Sequence, residues 1–170
     1  AGEMKKKGFT LIEICIVIAI TGILAGLAFV NFSGLSNKYN LENQVREMYS
    51  DLMSTRLMAM NKNRAHFMVL AAGSYTIYDD TSPAPGGDGA LTIGTDTQVQ
   101  AAKVLKNQMT WSGGSQVEFD SRGLCHSQKT ICVYSTLNPA YDCVKVSWTR
   151  IIMGKLTTQG VCSDANCAAK

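Results

Sequence analysis

The chain has 170 residues, 46% of them hydrophobic and 17% charged, and a formal net charge of +3. That length allows one compact domain beyond a membrane-length segment, and so small a cationic excess gives no case for binding nucleic acid through bulk charge. The excess is also local: Lys5, Lys6 and Lys7 stand together before Gly8, and removing residues 1–8 takes away three of the 16 basic residues and one of the 13 acidic ones, leaving +1.

An apolar run follows from Phe9 to Val30, interrupted by Glu13. About 20 apolar residues rising ~1.5 Å each cross a ~30 Å hydrocarbon core, so residues 9–32 read as one membrane-spanning helix. The basic cluster keeps the preceding end cytoplasmic and sends everything after the run outward. A secretory signal carries a small-residue cleavage site after its apolar region. Ala25-Gly26-Leu27-Ala28 imitates one, but the run continues through it to Val30 and Phe32. The more natural processing point lies ahead of the run, between Gly8 and Phe9. Glu13 is a carboxylate in an apolar helix, which is costly and implies a partner or a task; the plainer alternative is a side chain near the helix end that faces the headgroups. Phe9 and Glu13, at i and i+4, share a helix face.

Lys7-Gly8-Phe9-Thr10-Leu11-Ile12-Glu13 resembles the type III prepilin signal of type IV pilins and type II secretion pseudopilins. The resemblance implies a membrane peptidase that cuts after Gly8 and methylates the new amino terminus at Phe9. It implies that Glu13 pairs during assembly with the Phe9 amine of a neighbouring subunit. The partners it implies are other pilin or pseudopilin subunits, the prepilin peptidase, an inner-membrane assembly platform and the lipid bilayer, with no cofactor and no small-molecule substrate. The implied location is the bacterial inner membrane, single-pass, with the head periplasmic or, after assembly, on an extracellular filament.

Within the run, Gly22 and Gly26 have the small-xxx-small spacing that suits close helix contacts and equally suits bending. Asn31 and Ser33-Gly34 mark the bilayer exit and a soft point. Leu41, Val45, Met48, Leu52, Thr55 and Ala59 then alternate steps of four and three, the stripe of an amphipathic helix facing a core. Met48, Met53, Met58 and Met60 fall at helical spacing and read as packing rather than ligands. A continuous helix from Phe9 to about Asn61 would be on the order of 80 Å long. Residues 65–70 and 74–79 read as a hairpin, and 81–89 as a Pro/Gly loop. Further strands are expected near 99–105, 108–111, 116–119, 131–135 and 143–149, with another beginning at Ile151 and Ile152. The tail after Gly160 shows no periodicity.

The expected fold is therefore α+β and pilin-like. A long amino-terminal helix, membrane-spanning in its first half, lies on an antiparallel sheet head with a disulfide-containing carboxy-terminal region. The divisions are a leader at 1–8, a transmembrane and assembly helix at 9–32, an amphipathic helical half at 33–63 and a β-rich head at 64–170.

Cys15 lies in the apolar run, and Cys125, Cys132, Cys143, Cys162 and Cys167 crowd the last third. Export to an oxidising compartment favours disulfides, and an odd number leaves one thiol over. The expectation is local pairing, Cys125–Cys132 and Cys162–Cys167, with Cys143 left over. Zinc on Cys125, His126, Cys132 and Cys143 is the rival, weakened by the lack of any Cys-x-x-Cys. No nucleophile–base constellation is visible. His66 sits in an alternating strand, and a thiolate at Cys125 activated by His126 would be consumed by a disulfide. Asp79, Asp80 and Asp88 lack the spacing of a calcium loop and read as a solvated loop. The chain does not read as an enzyme.

Phe119-Asp120-Ser121-Arg122-Gly123 resembles a turn of the GspH/FimT family of minor pseudopilins and minor pilins. The leading function is a minor subunit that initiates or caps a type IV pilus or a type II secretion pseudopilus. One alternative is a DNA-capturing minor pilin. FimT-like members use a glycine-arginine-x-arginine motif, of which Gly154-Lys155-Leu156-Thr157 keeps one cation, with Lys145, Arg150 and Lys170 as possible compensation. A solvated face is the favoured reading of those four cations. The other alternative is a major filament subunit.

Overall fold

The computed structural model describes residues 8–170, apart from the side chains of 28–33. The leader cations Lys5, Lys6 and Lys7 lie outside the described residues. Helix α1 runs from Leu11 to Lys62. It starts at Thr10, whose hydroxyl accepts the Glu13 N–H at 3.3 Å while the Glu13 carboxylate accepts the Thr10 N–H at 3.4 Å. This reciprocal pair is the capping box that Thr-x-x-Glu specifies.

The chain divides into two units, residues 1–37 and 38–170. In the first, residues 8–27 are exposed throughout. The Thr21 hydroxyl donates back to Val17 O at 2.8 Å, which satisfies it within an apolar stretch. A Cβ at Gly22, Gly26 or Gly34 would meet nothing within 4 Å.

The second unit is the head. Its part of α1 buries the expected stripe: Leu41, Val45, Met48, Leu52, Thr55 and Ala59 are each 2% exposed or less. The helix stops because Asn63 takes a left-handed backbone, φ 52°, and lets the Arg64 N–H reach Ala59 O at 3.2 Å. Strands β1 (His66–Ala71) and β2 (Ser74–Asp79) form the expected hairpin, with Ala71 opposite Ser74. Strands β3 (Thr97–Gln98) and β4 (Lys103–Val104) both pair with β2. After β5 (Thr110–Trp111), strand β6 (Gln116–Phe119) pairs with the other edge of β1.

A second antiparallel sheet has the order β10-β9-β8-β7-β5. Its other members are β7 (Lys129–Cys132), β8 (Cys143–Val146), β9 (Ile151–Leu156) and β10 (Cys167–Ala169). The strands expected at 99–105, 108–111, 131–135 and 143–149 survive only in part. Trp148, which continues the alternation of Val144 and Val146, instead sits 48% exposed in the β8–β9 turn. The tail, expected to be irregular, supplies β10.

The two faces of this second sheet do different work. Val144, Val146 and Ile151 join the main core with the α1 stripe and the β1–β2 hairpin. The alternate residues Cys132, Cys143 and Leu156 point the other way and form a second cluster with Cys167 and Cys162. Two disulfides close it: Cys132–Cys162 and Cys143–Cys167, with Cα separations of 5.8 and 6.1 Å. The local pairing expected from spacing is thereby corrected. Register sets Cys132 directly opposite Cys143 on the face that the tail covers, so both take partners from the tail. Cys125, expected to bond Cys132, is a buried free thiol in the main core, its Sγ 3.4 Å from Ser127 O. Burial pushes that thiol's pKa up. Cys143, expected to be left over, is bonded.

Candidate processing and assembly site

Gly8, Phe9 and Thr10 lie outside the helix, and all three are exposed. Phe9 is 78% exposed. The Gly8–Phe9 peptide lies outside the helix, and among the described residues a Cβ added at Gly8 would meet nothing within 4 Å. One helical turn on, Glu13 sits in the first turn of α1. A carboxylate there is favoured by the helix dipole, whereas an amine freed at Phe9 would be disfavoured by it. Glu13 is the acidic residue of that first turn.

Residues 4–29 match the family model described as the prokaryotic N-terminal methylation motif. The chain is 27% identical over 129 residues to the pilin-like protein PilA1 of Thermus thermophilus, covering 71% of this chain and 80% of that one. Two solved structures share the fold. The minor pilin FimU of Pseudomonas aeruginosa has a TM-score of 0.54 at 12% identity, covering 75% of this chain and 98% of its own. The minor pseudopilin EpsH of the Vibrio cholerae type 2 secretion system has a TM-score of 0.50 at 13% identity, covering 67% and 95%.

The chain is type IV pilin-like. Its motif fits a membrane-anchored pilin. Among the described residues no helix is long and apolar enough to cross a membrane. The apolar run expected at 9–32 continues into residues 28–32, which lie outside the described side chains.

Elsewhere in this pilin-like chain, the turn that carries the GspH/FimT resemblance is a structural clamp. Phe119 is 1% exposed. Asp120 Oδ1 accepts the Arg122 and Leu124 N–H groups at 2.9 and 2.8 Å, and Oδ2 takes His126 Nε2 at 3.1 Å. Gly123, at φ +74°, packs so tightly on α1 that a Cβ there would lie 2.8 Å from Met60 Sδ. Beside Met60, Arg56 also packs on Gly123, and its Nη1 donates to Thr149 O at 2.8 Å.

The four candidate DNA-binding cations are not brought together. Lys145 lies on the disulfide-covered face of the second sheet and pairs with Asp164 at 2.6 Å. Arg150 is exposed in the β8–β9 turn. Lys155 and Lys170 alone share a groove of about 730 Å³, where Lys155 Nζ bonds Asn138 Oδ1.

The histidines have structural surroundings. Buried His66 places Nε2 3.6 Å from Asp79 Oδ1, and burial lowers its pKa. His126 stands edge-on to Trp148 with ring centroids 4.9 Å apart. Of the three carboxylates read as a solvated loop, Asp88 is exposed, but Asp79 and Asp80 are buried and organise the loop. Asp79 pairs with Lys62 and Arg64 at 2.7 and 3.0 Å, and Asp80 accepts the Asp88 and Gly89 N–H groups. Asp96, unremarked in the sequence, accepts three N–H groups, from Thr81, Ser82 and Thr92.

Proposed function

We propose that the chain is a minor pilin or minor pseudopilin. It is processed between Gly8 and Phe9, anchored through residues 9–32 with the head outside the inner membrane, and built into the start or tip of a filament. The single observation that supports this is the conjunction of the methylation motif at residues 4–29 with a head whose fold is that of a minor pilin and a minor pseudopilin. On this reading Phe9 carries the methylated amine and Glu13 receives the amine of the next subunit. A prepilin peptidase and an assembly platform act on the chain, and its role is structural rather than catalytic.

Coexpression with a prepilin peptidase tests the processing. Intact-mass analysis should show loss of residues 1–8 and addition of one methyl group at Phe9; an uncleaved chain would refute it. The chain's abundance in sheared filaments separates the minor role from the major one. A trace stoichiometry is expected, and a dominant band would make it the shaft subunit.

A further inference from the structure

Trp148 is half exposed, yet its turn is held from three directions. Within the turn, the Ser147 N–H donates to Arg150 O at 2.8 Å. From the 120–126 segment, the Cys125 N–H donates to Trp148 O at 2.9 Å. From α1, Arg56 Nη1 donates to Thr149 O. The His126 ring stands edge-on to the indole. Arg56 touches both turns, since its Cγ lies 3.2 Å from where a Gly123 Cβ would stand. Met60, against the same glycine, is itself 38% exposed.

A large aromatic side chain left half in water forgoes part of the stabilisation that burial would give. Fixing its backbone in advance removes ordering cost that binding would otherwise meet. Trp and Arg are also among the residues that most often dominate protein interfaces. The free charge beside Trp148 has one sign. Arg122 and Arg150 are exposed and, like Arg56, have no carboxylate partner among the described residues. The one acid of residues 120–126 and 147–150 is Asp120, already engaged by the Arg122 and Leu124 N–H groups and by His126. These cations surround a single ring at one spot, whereas a nucleic-acid strand calls for a track of cations and a series of stacking rings.

We infer that Trp148, with Arg122 and Arg150, is a docking surface for a different subunit of the filament, one that presents a carboxylate beside an apolar socket for the indole. The inference rests on the assembly reading above.

Two measurements on the full chain, in cells that assemble the filament, test it. The first is abundance in sheared filaments. Trp148→Ala and the double reversal Arg122→Glu/Arg150→Glu should each fall roughly tenfold or more, with processing, unreduced disulfide maps and membrane levels unchanged. Arg122→Lys/Arg150→Lys keeps the charge and should assemble. Both arginines are exposed, so the double reversal decides the matter even if W148A misfolds. In the second, Thr149→benzoylphenylalanine irradiated in intact filaments should crosslink to a different subunit, at a peptide containing Asp or Glu. Incorporation of the processed double reversal at the wild-type level would overturn the surface and leave the filament role standing. A crosslink only to a second copy of this chain, or only to lipid, would overturn it too. A wild-type chain absent from filaments would overturn the assembly reading and the surface with it. Binding of a single-stranded oligonucleotide by the detergent-solubilised chain, lost in W148A, would make this a nucleic-acid site and overturn the protein partner.

Discussion

The Thr10 hydroxyl accepts the Glu13 amide at 3.3 Å, and the Glu13 carboxylate returns the favour to the Thr10 amide at 3.4 Å. One side chain therefore has two possible employments: closing the helix in the free chain, and meeting an incoming amine in a filament. The two can be separated by substitution. Glu13→Gln keeps an oxygen for the Thr10 N–H but carries no charge, whereas Thr10→Ala weakens the cap, worth about 0.5–2 kcal/mol, and leaves the charge. On the proposed function, E13Q and E13A should both fall roughly tenfold or more in sheared-filament incorporation, while T10A assembles. Rescue by E13Q would make Glu13 a cap and nothing else.

The disulfides give a second prediction. Peptide mapping without reduction should recover Cys132–Cys162 and Cys143–Cys167, with Cys15 and Cys125 alkylatable only after denaturation or detergent exposure. The bonds close separations of 30 and 24 residues, so each should stabilise the head by about 3–4 kcal/mol. Cys162→Ser and Cys167→Ser should each lower the denaturation midpoint, and Cys125→Ser far less. A Cys162–Cys167 peptide would overturn the arrangement of the tail.

That arrangement marks the limit of what the sequence made legible. The stripe from Leu41 to Ala59 and the β1–β2 hairpin depend on local periodicity and a two-residue turn, and both were readable. The pairing of Cys132 and Cys143 with the tail depends on the register of β7 against β8, which spacing does not encode. Strand β10 is Cys-Ala-Ala, without alternation of its own, and exists through pairing with β9 and the bond to Cys143. Trp148 continued an apolar alternation that ends at Val146, where the chain turns back. At the candidate site, Gly8, Phe9 and Glu13 were legible as a motif. The Thr10 cap was present as Thr-x-x-Glu but overshadowed by the cost of a carboxylate in an apolar run.

His66 supplies a pH dependence. It is fully buried, and the loss of water around it pushes its pKa below the ordinary value despite the attraction of Asp79; Lys62 and Arg64 push the same way as burial. Folded His66 therefore refuses a proton that the unfolded chain accepts below about pH 6.5. Its contribution to stability is fully present above that pH and declines as pH falls toward the folded value. Imidazole resonances followed by NMR should show His66 titrating below the usual histidine range. A His66 that titrates at or above that range would contradict the burial.

Gly154 is where the sheet, the tail and a disulfide meet. In β9 it lies opposite both Cys143 of β8 and Ala169 of β10. A Cβ there would stand 2.5 Å from Ala168 O and 2.8 Å from Cys167 Sγ. Neither atom is the free end of a flexible side chain: one is strand backbone, the other is tied to Cys143. The backbone of Gly154 shows no left-handed φ, so crowding alone decides the outcome. Gly154→Ala should therefore displace β10 and cost about 1–3 kcal/mol, as overpacking of a filled interior does. The displacement should also slow closure of Cys143–Cys167 relative to Cys132–Cys162 during oxidative refolding, measured by trapping and mapping the bonds over time. Cys143→Ser/Cys167→Ser in the same chain removes one of the two obstacles, so the added cost of G154A should shrink in that background. If the alanine cost the same with and without the disulfide, the close approach of the Cys167 sulfur would not be what keeps a glycine there.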